Sequence, residues 1–200
     1  MDSAPAVAIG ERAIYGLSLE EVAAFVGVAA ELDERLPPAE LVARLEQVMV
    51  AAERYLRQFP DAHMADLVPS RDRSYCQLGY HVFVIVEAFL AATQGATLSY
   101  ESLAVTPPDS VTTGADVAAY GAEVRGRLGL WSYDDGDAVV IPTYYGEQTL
   151  HEVLERTTWH AAQHVRQVMM VLDSLDITPD RPLTAADLAG LPLPEQVWDG

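Results

Sequence analysis

The sequence predicts a mainly α fold: an antiparallel four-helix bundle with a short N-terminal hairpin and helix and an irregular C-terminal tail. Three observations predict it. Apolar residues recur three and four apart in long stretches between residues 39 and 175. Proline and glycine cut these stretches into four segments, and a long connection over residues 94–115 separates the second from the third. A chain of 200 residues, 50% hydrophobic and 21% charged, suits one packed domain better than two. Four helices with one long crossover form a bundle whose neighbours need not follow simple up-and-down order.

The expected organisation is an appendage over residues 1–30, the bundle over 31–178, and a tail over 179–200 that packs on it. In the appendage, residues 6–9 and 13–15 flank a turn at Gly10, Glu11 and Arg12 and read as a hairpin ending at Gly16. Ser18 and Glu21 then form a capping box for a short helix through Val26, stopped by Gly27. After an acidic, proline-containing link over residues 31–38, a long helix begins near Ala39. It carries Leu41, Leu45, Val48, Met49, Ala52, Tyr55, Leu56 and Phe59 on one stripe and ends at Pro60. The second helix is expected over residues 72–93. From Tyr80 to Ala92 only His81 and Glu87 are polar, so it belongs in the middle of the bundle, with strand as the alternative its valines and isoleucine leave open. A third helix over residues 115–130 places Val117, Tyr120, Val124 and Leu128 on one side and is weakened by Gly121, Gly126 and Gly129. Asp134, Asp135 and Gly136 mark a turn, and residues 138–141 read as a short strand ahead of Pro142. Thr149 and Glu152 form a second capping box, opening a helix to about Leu175. In the tail, Thr184 caps a short helix and Trp198 is the expected anchor.

Thirty acidic residues against 12 basic ones give a formal net charge of -18, which suits solubility or a high-salt habitat. Repulsion from phosphates argues against nucleic acid as a partner. Cys76 is the single cysteine, so no intrachain disulfide forms; in its apolar run it reads as a small core residue. The N-terminus lacks the basic and apolar regions of a signal peptide, and no apolar run approaches the ~20 residues of a membrane span. A soluble cytoplasmic protein is expected, with no membrane partner.

The chemistry concentrates in three histidines. A spacing of four places His160 and His164 on one helix face, about 6 Å apart. They fall on the stripe of Leu150, Val153, Thr157, Val168, Val171 and Leu175, which faces the core. Two neutral imidazoles in a dry interior leave polar nitrogens to satisfy, and one divalent ion satisfies both. His81 is a similar exception among Leu78, Val84, Ile85 and Ala88. A pair at a spacing of four is weak alone, and a core histidine bonded to a carbonyl is the competing reading for His81. All three together favour a metal site of His81, His160 and His164. His63, after Pro60, and His151, on the opposite face of the last helix, read as solvated.

In order and spacing these residues resemble the DinB-like four-helix-bundle superfamily, over roughly residues 41–175. That superfamily includes thiol-dependent S-transferases, the metal-binding domain of mycothiol-dependent maleylpyruvate isomerase and proteins described only as metal-dependent hydrolases. One histidine of its pattern comes from the second bundle helix, matched by His81 in Gly79-Tyr80-His81-Val82-Phe83. An H-x3-H pair from the last helix is matched by His160 and His164 in Trp159-His160-Ala161-Ala162-Gln163-His164. The resemblance implies the fold, a divalent ion, usually zinc or nickel, and open coordination positions. It does not fix a reaction, and a low-molecular-weight thiol such as glutathione or mycothiol is the cosubstrate in one of the readings it leaves open. Residues 5–28 more faintly resemble the C-terminal end of a glutaredoxin; without a Cys-x-x-Cys motif such a remnant has no redox activity, but it hints at a thiol partner.

Three readings follow. In the first, a small thiol bound as thiolate attacks an electrophilic carbon, giving S-transfer or thiol-assisted isomerisation. Arg156, four residues before His160, holds a substrate carboxylate or else makes a surface salt bridge. In the second, metal-activated hydroxide hydrolyses the substrate, with Gln77 orienting water or substrate and Tyr144, Tyr145 and Glu123 at the entrance. The third is a non-catalytic, metal-stabilised binding protein, closed by a fourth ligand such as Glu87. The expected partners are a small-molecule substrate and, for assembly, a second copy of the chain as a homodimer.

Overall fold

The computed structural model of the chain describes residues 6–10, 12–15, 19–27, 35–69, 71–133 and 139–198. It divides into two compact units, residues 1–35 and 36–200. In the first, β1 (Ala6–Ile9) pairs antiparallel with β2 (Arg12–Tyr15), Ile9 opposite Arg12. Helix α1 (Leu19–Val26) follows, and Gly27, at φ 73°, takes the left-handed conformation that ends many helices. The expected cap Ser18 and the hairpin end at Gly16 lie outside the described residues.

The second unit is built on α2 (Pro38–Leu56), α3 (Tyr75–Ala92), the short α4 (Tyr100–Leu103), α5 (Gly114–Leu128) and α6 (Leu150–Ser174). As predicted, α2, α3, α5 and α6 pack as a helical bundle. Helices α2 and α3 each lie against both α5 and α6 but touch each other far less, so these sequence neighbours are diagonal partners. The connection over residues 57–74 spans that diagonal, whereas the one between α3 and α5 joins helices that lie side by side.

Local chemistry sets the helix starts. Capping boxes of Ser74 with Gln77, Thr113 with Asp116 and Thr149 with Glu152 open α3, α5 and α6. The first moves the start of α3 from the expected residue 72 to Tyr75 and leaves Arg73 in the preceding turn. Helix α2 has Pro38 in its first turn and is capped by Arg57, so Phe59 is buried beyond the helix and not on it. By length and composition α3 is apolar enough to cross a membrane, nearer to a span than the sequence analysis allows. It is instead a core helix, with 83% of the stretch buried.

The connections depart most from expectation. Residues 94–113 contain α4, capped by Ser99, whose hydroxyl accepts from Ser102 N–H at 3.2 Å. The expected strand is one arm of a hairpin, β3 (Val140–Thr143) with β4 (Gly146–Thr149), and Pro142 lies inside it instead of ending it. An edge position tolerates proline. The Pro142 carbonyl accepts from Leu98 N–H at 2.9 Å, and Tyr144 N–H donates to Leu98 at the same distance, tying the hairpin to the segment before α4. The turn expected at residues 134–136 lies outside the described residues.

In the tail, Thr184 pairs with Asp187 as a capping residue would, but only a series of turns follows. Gly190, at φ 79°, and the prolines after it stop helix growth. Side chains from the bundle strap this segment down. Arg44 donates to the Asp187 carbonyl at 2.8 Å, Arg54 to the Asp180 carbonyl at 2.7 Å and Arg166 to the Pro194 carbonyl at 2.7 Å. Trp198 packs against the core, as expected of an anchor.

The seam between α3 and α5 depends on a missing side chain. A Cβ at Gly121 would collide with the Phe83 ring, whereas one at Gly126 would meet open space. Gly121→Ala is expected to lose about 1–3 kcal/mol of stability. Gly126→Ala in the same helix should be neutral or gain up to about 1 kcal/mol. Urea unfolding of the two variants beside the parent chain measures the contrast.

Candidate metal centre

The α3–α6 contact brings together the three histidines that the spacing singles out. His81 projects from α3 and is 9% exposed; His160 and His164 stand one turn apart on α6 and are half-buried. The ring of His81 lies 5.5 Å from that of His160 and 4.8 Å from that of His164, edge to face. One ring nitrogen from each falls within 4.8 Å of the others. The Nε2 atoms of His160 and His164 are 3.2 Å apart. Two imidazoles ligating one tetrahedral zinc at about 2.0–2.1 Å place their nitrogens roughly 3.3 Å apart, so this pair already has the spacing of ligands. His81 needs a closing movement of about 1.5 Å at most to complete the set.

Hydrogen bonds behind the rings decide which nitrogens face inward. The Gln167 amide nitrogen donates to the Val197 carbonyl at 3.1 Å, and a carbonyl can only accept. The Gln167 oxygen therefore faces His164 Nδ1 at 2.7 Å, and Nδ1 must carry the proton that joins them. His164 Nε2 is left with a lone pair toward His160, and the two facing nitrogens meet over one proton or one ion. Gln163, which donates to the same Val197 carbonyl at 2.7 Å, holds the acceptor in place. On the other wall the backbone of Leu103, at the end of α4, faces His81 and favours its protonated form, against the larger effect of burial. His164 thus has the support that metal-ligating histidines ordinarily have, one nitrogen tied to an amide oxygen and the other free to ligate.

Burial and nearby charge hold the rings of His81 and His160 neutral. Burial lowers the pKa of His81 to about 3, aided by the positive charges of His164 and Arg73 and opposed by the Leu103 backbone. His160 is held well below the ordinary histidine value, first by burial, then by His164, His81, Arg156 and Arg73. Neutral imidazole is the form that ligates metals. With three soft-to-borderline nitrogen donors and a supported tautomer, the residues fit a divalent transition ion.

Around the triad, Arg156 makes no salt bridge among the described residues. It donates to the Tyr144 hydroxyl at 3.0 Å and lies over the rings of Tyr145 and Trp159, at 4.4 and 5.4 Å. Tyr145 and Tyr144 form the turn of the β3–β4 hairpin, and Tyr144 stands 6.5 Å from Tyr100 of α4. The Gln77 side-chain oxygen accepts from Ser74 N–H at 2.8 Å in the capping box, which leaves only its amide nitrogen for other partners. Glu123 is exposed on α5 and is not among the convergent donors. Glu87 does not close the site: it accepts from the Tyr120 hydroxyl and pairs with Arg127 at 2.7 Å. His63 pairs with Asp66 at 2.6 Å near the surface. His151 is not solvated as expected. It is half-buried, with Nε2 2.9 Å from the Leu36 carbonyl, because the chain entering α2 crosses that face of α6. Cys76 is buried, its thiol pushed up by burial and directed at the Val111 carbonyl 3.6 Å away.

Sequence reasoning passes over Gln167, Arg73 and α4. The first had a legible signal, a glutamine three residues beyond His164 on the same face. The others are brought in by long-range folding. No protein-family model matches the chain, and no curated protein matches it either.

Two predictions follow from this geometry. The folded chain protonates His81 near pH 3 and the unfolded chain near pH 6.5, so the unfolded state binds more protons between those values. The stability of the metal-free protein therefore falls as pH drops through this window. His81 alone accounts for about 2 kcal/mol between pH 7 and pH 5. His81→Asn should shrink the difference between urea unfolding curves at those two pH values by about that amount. Gln167→Leu frees the tautomer of His164 and should weaken zinc binding about 10–100-fold in competition with a chelator, without loss of helical circular dichroism.

Proposed function

We propose that the chain is a metal-dependent enzyme of DinB-like type, holding one divalent ion, zinc or nickel, on His81, His160 and His164. The observation that carries this reading is a set of three, and only three, convergent donors. Among the described residues no carboxylate or thiol joins the histidines, and three-ligand sites leave a position for water or substrate where structural sites take four ligands. The DinB-like resemblance in order and spacing supports the same reading.

Within it, the preferred reaction is activation of a low-molecular-weight thiol, such as glutathione or mycothiol, for S-transfer or thiol-assisted isomerisation at an electrophilic carbon. A divalent ion, when bound, supplies a charge that favours thiolate over thiol and brings a bound water toward a pKa of ~7. The protein's own residues do the rest. His81 and His160 are kept neutral as donors, and Gln167 holds Nδ1 of His164. Arg156, cradled by Tyr144, Tyr145 and Trp159 beside His160, presents a cation to the substrate. Cys76 is no rival nucleophile, because burial disfavours its thiolate. The partial exposure of His160 and His164, which lets water reach the centre, favours hydrolysis as the second reading.

Elemental analysis of untagged protein tests the site: the parent chain should carry about one divalent ion and His160→Ala and His164→Ala little or none. Equal metal content in all three would sink the proposal. Cobalt substitution followed by titration with glutathione and mycothiol tests the reaction. A new sulfur-to-cobalt absorption band is expected; a spectrum unmoved by either thiol turns the assignment to hydrolysis.

A further inference from the structure

Among the described residues the buried polar and charged side chains are Glu53, His81, Thr157, Thr158, Gln163 and Gln167. All but one have partners on view. Glu53 meets Arg125 at 2.7 Å, Gln163 and Gln167 donate to the Val197 carbonyl, and His81 faces the other two histidines. The Thr158 hydroxyl donates to the Leu154 carbonyl one turn back, at 2.8 Å, as helical threonines commonly do. Thr157, only 4% exposed, does not make the equivalent bond to Val153, and its hydroxyl has no hydrogen-bond partner among the described residues.

The helix fixes where this hydroxyl lies. Thr157 stands three residues before His160 in the unbroken α6, which puts their Cβ atoms about 5–6 Å apart on one face. Side chains on a helix lean back over the preceding turn, so Thr157 lines the space before His160, on the side away from His164. The same face carries Leu150, Val153, Val168 and Val171, all buried. Valine has the shape of threonine and brings no polar atom to satisfy, so the fold by itself would be better served by valine at position 157. Residues that break a local rule in this way gather where a ligand is handled.

We infer that the Thr157 hydroxyl is a binding group of the centre, donating a hydrogen bond to the anionic atom, thiolate sulfur or carboxylate oxygen, of a ligand that enters the position left open by the three histidines. This rests on the metal-dependent reading above and adds to it the residue that holds the incoming ligand. The chemistry of the group suits the task. A hydroxyl donates without carrying charge, so it adds no repulsion beside a cation, and it does not fill the site as a carboxylate would. Hydrogen bonds to an ionised acceptor are roughly twice as strong as those between neutral groups, so the hydroxyl favours an anionic ligand over a neutral one.

Thr157→Val and Thr157→Ser, made in the full chain, separate a binding hydroxyl from one that serves the fold. Cobalt-substituted protein is titrated with 2-mercaptoethanol, and separately with acetate, and its visible spectrum gives the affinity for each. Thr157→Val should keep the parental cobalt content and a urea midpoint at or above the parental value, yet bind at least one probe about tenfold more weakly. Thr157→Ser should recover most of that loss. The probe that responds identifies the ligand atom: sulfur agrees with thiol activation, oxygen with hydrolysis. Parental affinity for both probes in Thr157→Val, a lowered urea midpoint in that variant, or no binding of either probe by the parent chain overturns the inference. A parent chain that takes up no cobalt overturns the metal reading and this inference with it, whereas full cobalt uptake with unchanged probe affinities in Thr157→Val overturns this inference alone.

Discussion

The contact between α3 and α6 is the constraint from which the rest of the site follows. It presses three imidazoles into a region where an unsatisfied polar nitrogen costs on the order of 1–3 kcal/mol. Each ring must therefore be given partners on its outer side. His81 is met by the end of α4, which lies in the connection between α3 and α5, and His164 is met by Gln167, oriented by the tail. Two segments that look like connectors in the sequence thus act as walls of the centre. The arginine bonds that strap the tail to α2 and α6 have a consequence three links away, at one ring nitrogen.

The parts of this arrangement that follow from periodicity are legible in the sequence. Residues 150, 153, 157, 160, 164, 168 and 171 mark one face of α6 without knowledge of what it packs against, and Thr149 with Glu152 marks where the helix begins. His81 stands out in the same way on α3. What periodicity cannot supply is the partner of a side chain far away in the chain. The Gln167–Val197 bond spans 30 residues, the Tyr120–Glu87 bond 33 and the His151–Leu36 bond 115. The last two overturn the readings of Glu87 as a closing ligand and His151 as solvated, which rest on face alone. The β3–β4 hairpin is half legible for a related reason. Val140 and Ile141 read as a strand, but Gly146-Glu147-Gln148-Thr149 becomes one only by pairing with them.

Net charge is another property that does not survive the passage from sequence to site. At -18 the chain as a whole repels anions at long range. Around the histidines the balance differs, since the charges of Arg156 and Arg73 act on His160 and Glu87 is paired with Arg127. Short-range interactions in a partly dry pocket are screened far less than those across the surface, so the local sign governs what binds. The acidic exterior lowers the encounter rate with anions; it does not decide which group is held once inside.

The arrangement also bears on where a nucleophile would come from. A chain that carried its own would need a thiol, hydroxyl or carboxylate reaching the histidines, and apart from the Thr157 hydroxyl, which serves the ligand, the neighbouring candidates are otherwise engaged. Cys76 is held against Val111, Glu87 belongs to Tyr120 and Arg127, and the Tyr144 hydroxyl accepts from Arg156. Burial pushes the Tyr145 phenol up to about 12, too high to supply an oxyanion near neutrality. Neutral donors at His81 and His160, with Arg156 one turn before His160 on the same helix, describe a centre organised to receive negative charge from outside. In the proposed reading the thiol brings it as thiolate, and Arg156, held by Tyr144, presents its cation to the electrophile.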